Sequence, residues 1–68
     1  MMTIIERDIA FYRGEVDRLK FELRRALPDD EAIWQERLVC AAFIVAALEG
    51  YERLLAARSV AEARQAAS

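Results

Sequence analysis

Twelve carboxylates, ten basic side chains and a single thiol are the groups with which this 68-residue chain could do chemistry, and it has no histidine. The thiol, Cys40, lies inside the uncharged run LVCAAFIVAAL at 38 to 48. A cysteine becomes nucleophilic beside a cation or at a helix start. Arg37 is the one cation placed near it, so Cys40 reads as a small buried hydrophobe. With one cysteine and no histidine there is no intrachain disulfide and no metal-ligand spacing. A catalytic carboxylate pair needs a pocket with unequal environments. Here the acids fall at helix-surface or turn positions, and no nucleophile motif or glycine-rich phosphate loop is present. The chain therefore reads as non-enzymatic, with no cofactor.

A second set of residues points to contact rather than catalysis. Arg7, Phe11, Arg18, Phe21 and Arg25 share one broad strip of a helix, away from its apolar seam. Basic and aromatic residues interleaved on a helix can contact RNA or an acidic partner. Exposed aromatics with arginine also anchor protein interfaces. Glu15, Glu22 and Asp17 border the strip, and the net charge is −2, so protein is expected as the partner rather than nucleic acid. The plainest alternative is a solvated face with incidental aromatics.

Two helices must carry these residues. Thr3 and Glu6 in TIIE have the spacing of a capping box. Ile5, Ile9, Tyr12, Val16, Leu19, Leu23 and Ala26 then follow in alternating steps of four and three, a heptad seam. Arg13 with Asp17 and Arg18 with Glu22 stand at pairing distance along the helix. LPDD at 27 to 30 breaks the helix, since proline cannot continue it, and Asp29 or Asp30 can cap the next one. The expectation is a first helix over about 3–27, a turn at 28–30 and a second helix over about 30–58. The tail, 59–68, is a frayed end, a short separate helix opened by SVAE, or a continuation. So short a turn makes the helices antiparallel neighbours, an all-α hairpin in a single domain.

The second helix carries a stripe of Ile33, Cys40, Ile44, Leu48, Tyr51 and Leu55, interrupted by Arg37. It is expected to pack on the first helix, with Tyr12, Trp34 and Tyr51 as core or rim aromatics. The run at 38 to 48 is apolar all round, which marks a buried helix. Leu38, Val39, Ala42, Phe43, Val45, Ala46 and Gly50 are then a second face that something else must cover. A chain this small buries little surface alone and usually needs a staple. With no disulfide and no metal, association is the remaining one. The expected completion is a homodimer, two hairpins forming a four-helix bundle. Docking of the apolar second helix on a larger protein is the alternative.

No signal peptide is legible, because charges at positions 6, 7 and 8 interrupt the start. The apolar run has about half the roughly 20 residues that a membrane span needs. A cytoplasmic protein with no membrane partner is expected. The layout resembles that of many small bacterial and phage regulators, including the plasmid RNA-binding repressor of primer type. The resemblance is of layout alone, and no residue role follows from it. The reading is an adaptor or regulator acting through protein contacts, with an accessory subunit and an RNA- or DNA-binding bundle as alternatives.

Overall fold

The computed structural model describes residues 2–67, so Met1 and Ser68, the ends of the expected domain and tail, lie outside the described residues. Two helices, α1 (Ile4–Arg25) and α2 (Glu31–Ala67), pack against each other as a hairpin 61 Å long and 12 Å thick. The Thr3 hydroxyl accepts the Glu6 backbone N–H at 3.2 Å, the forward bond of the expected capping box. Thr3→Ala leaves that N–H without its side-chain acceptor. The expected loss is about 1 kcal/mol, read from the urea midpoint of the far-ultraviolet dichroism.

α1 stops two residues short of the expected Leu27. Pro28 pushes Leu27 out of the helical region, and its ring would clash with the carbonyl four residues back. Ala26 is already extended (φ −66°, ψ 143°) and donates its N–H to the Leu23 carbonyl at 3.2 Å. The chain turns through a bond from the Asp30 N–H to the Leu27 carbonyl (2.8 Å), and the Asp30 carbonyl accepts the Trp34 N–H to start α2.

The α1 seam faces α2 along its whole length. Ile9 and Leu19 are 5% and 4% exposed, and Ile5, Tyr12, Val16, Leu23 and Ala26 are half-buried. The charge pairs differ from those expected. Arg13 reaches across to Glu49 on α2 at 2.9 Å, and Arg18 binds Glu15 rather than Glu22. The cross-helix pair also sets the register, placing Ile4 level with about residue 58. Beyond that point α2 runs on alone. It passes Ser59 without a break to Ala67, so SVAE opens no separate helix and the described tail is helical. Alanine-rich sequence favours this, as does the Arg58–Glu62 pair at 3.0 Å.

The rotation of α2 differs from the expected one. The side turned to α1 is Trp34, Leu38, Ala41, Val45 and Leu48, with Ile44 beside it. Ile33 and Tyr51 are about half exposed (50% and 53%), and Cys40 and Leu55 are also exposed. Cys40 is thus not the buried hydrophobe expected from its neighbours. Burial of the expected stripe would carry the Arg37 guanidinium into the apolar helix–helix contact, at the cost of its hydration. The observed side holds no charge between Trp34 and Leu48. Ala41, 7% exposed, is small enough to let α1 approach closely.

Candidate interaction surfaces

Ile9, Leu19 and Ala41 are the only deeply buried residues among those described. Much of the apolar content of α2 consequently remains uncovered. Its exposed members, with the partly covered Gly50, form a second series at 33, 36, 40, 43, 47, 50, 54, 57 and 61, in steps of three and four. Glu36 is its single charge. Phe43 is 74% exposed and Leu54 69%, values more usual for surface lysines than for large apolar side chains. The spacing of this seam is present in the sequence. It escapes notice there because apolar residues occupy every direction of α2, so several seams can be drawn through it.

The residues expected on the second face of α2 divide. Val39, Ala42, Phe43 and Ala46 are exposed. Leu38 and Val45 are instead half-buried on the side turned to α1, and Gly50 is partly covered. The uncovered face is therefore rotated from the expected one, towards Ile33, Cys40, Ala47 and Leu54.

Beside the exposed seam, an open groove of about 500 Å³ runs between the helices. Phe11, Tyr12 and Leu19 of α1 and Ile33, Cys40 and Ile44 of α2 give it apolar walls. Glu15, Arg18, Glu36 and Arg37 also line it. On the opposite side, Val16, Ala42 and Val45 line a smaller depression of about 290 Å³ with Arg13 and Asp17.

The strip on α1 is exposed throughout, but the structure splits it. Phe11, 62% exposed, meets Tyr12 edge to face with ring centres 5.2 Å apart, at the groove. Arg18 donates two hydrogen bonds to the Glu15 carboxylate, at 3.1 and 2.9 Å. Those bonds hold the Glu15 carboxyl below the ordinary range, and its partial burial opposes them. The ion pair is thus complete at neutral pH and is lost only in acid, as the pH falls through the lowered pKa of Glu15. Phe21 and Arg25 form a separate unit further round the helix, with the guanidinium 5.2 Å from the ring centre. Arg7 is exposed near the start of α1.

Cys40 stands in the groove wall, but the Arg37 guanidinium lies over the Trp34 ring, 5.1 Å from its centre. Among the described residues no three acidic, cysteine or histidine side chains converge on a point that could hold a metal ion. No helix among them is long and apolar enough to cross a membrane. What the arrangement can do is present apolar surface with charges at its edges. No protein-family model matches the chain, and no curated protein or solved structure is significantly similar to it.

Proposed function

We propose that this chain is a non-enzymatic adaptor or regulator that works through protein–protein contacts as a homodimer, two hairpins completing a four-helix bundle. The observation that carries this reading is the exposed seam of α2, with Phe43 and Leu54 about three-quarters and two-thirds uncovered beside a core of three deeply buried residues. Apolar side chains aligned at heptad spacing on one face suit a partner helix. Covering them supplies the burial that a hairpin this small lacks. The α1 strip then remains outside, and Phe11, Arg18, Phe21 and Arg25 are the residues to contact a further protein.

The groove supports a second reading, an accessory subunit that seats its apolar face on a larger complex. A nucleic-acid role draws less support, because Arg18 is neutralised by Glu15 and Arg25 is engaged with Phe21. Light scattering on a sizing column, over a range of concentrations, separates the first two readings. A stable mass of twice 7.8 kDa is expected for the homodimer. A monomer that aggregates, or a chain recovered only with a co-expressed partner, favours the accessory subunit.

A further inference from the structure

We infer that two copies pair through α2 in antiparallel orientation, about a two-fold axis passing beside Ala46 and Ala47. The ring of Phe43 in each copy then lies over Gly50 of the other, and Glu36 of each stands beside Arg58 of the other. The inference rests on the homodimer reading and adds its face, orientation and register.

Gly50 is the first ground. Glycine inside a helix is destabilising relative to alanine. No described glycine has a positive φ, and a methyl group at Gly50 would meet only the Arg53 guanidinium, at 3.9 Å. Gly50, unlike Gly14 of α1, lies on the apolar seam, and as at Gly14 nothing among the described residues calls for the missing side chain. A large ring arriving from outside would, and Phe43 lies seven residues away along the same exposed seam. The two are equidistant from the midpoint between Ala46 and Ala47, so one two-fold operation sets each Phe43 against the opposite Gly50.

Charge supplies an independent ground. The same operation brings Glu36 level with residue 57, next to Arg58. Glu36 and Arg58 are 22 residues apart, which places them within about 40° of each other around α2, Glu36 on the seam and Arg58 at its edge. In an antiparallel two-fold pair like edges meet, so at both ends Glu36 joins the exposed Arg58–Glu62 pair of the other copy. A parallel pair would do the reverse. It would keep Glu36 and Arg58 apart along the axis, by 22 residues, set ring level with ring, and leave a gap where two glycines face.

Cys40, exposed and the single cysteine, reports on the orientation directly. In the antiparallel register it lies level with residue 53, so the two thiols are offset by about 20 Å along the helix. A disulfide needs Cα atoms within roughly 7 Å. The full-length wild type and the Cys40→Ala/Ala47→Cys variant, whose cysteine sits at the axis, are treated with diamide at low concentration. Light scattering and non-reducing electrophoresis are then read together. Both proteins are expected to have the mass of a dimer, with a covalent dimer in most of the variant and little in the wild type. Ready crosslinking of the wild type through Cys40 would overturn the orientation and leave the homodimer standing. A dimer in which neither protein crosslinks would overturn the face. A wild type that stays monomeric at every concentration would remove the homodimer reading and this inference with it.

Discussion

Leu19→Ala is expected to remove about 2–5 kcal/mol of stability, the usual range for emptying a buried leucine site. Leu19 is 4% exposed and lies on the α1 face that packs against α2, where Ala41 is also buried. Few other side chains can take up the loss. At about 0.05–0.15 kcal/mol per residue, a chain of this length has a total stability of roughly 3–10 kcal/mol. One cavity is therefore comparable with the whole, and much of the variant should be unfolded at room temperature. Urea titration followed by dichroism, at one fixed protein concentration, reads the effect. Leu27→Ala is the internal comparison, since Leu27 is 69% exposed and should cost far less. A Leu19→Ala variant within about 0.5 kcal/mol of wild type would mean that the helices do not meet along this seam.

Phe43→Glu should have the opposite profile. At 74% exposed, Phe43 contributes little to the hairpin, and glutamate is the better helix former of the two. In the proposed dimer the same change sets two carboxylates into an apolar contact, one from each copy. A loss of around 3 kcal/mol is about a hundredfold in affinity, so the dimer should dissociate to monomer at concentrations where wild type is paired. The mass is the decisive readout. If the helical signal falls together with it, folding depends on association, as in many obligate dimers. Retention of the full dimer mass would place the contact elsewhere and discard the α2 seam as its site.

Leu19 and Phe43 also differ in how far residue types alone dictate their surroundings. The α1 seam is legible residue by residue, because charged residues dominate the other directions of that helix, Ile4, Phe11 and Phe21 aside, and only the seam runs its whole length. The cap at Thr3 and the break at LPDD are local backbone chemistry, and they too follow from the residue types. The rotation of α2 is not legible in the same way. Its apolar residues point all round, so periodicity favours no single side, and the choice falls to contacts between helices. A small residue at Ala41 admits Leu19, the Glu49 carboxylate meets Arg13, and Arg37 stays at the open groove over Trp34. The same choice brings Cys40 out of the core and leaves Phe43 uncovered. The sequence by itself thus determined that two helices form, where the first begins and breaks, and which side of α1 is buried. Tertiary packing alone decided which side of α2 it meets, and with it which face of the protein is left for a partner.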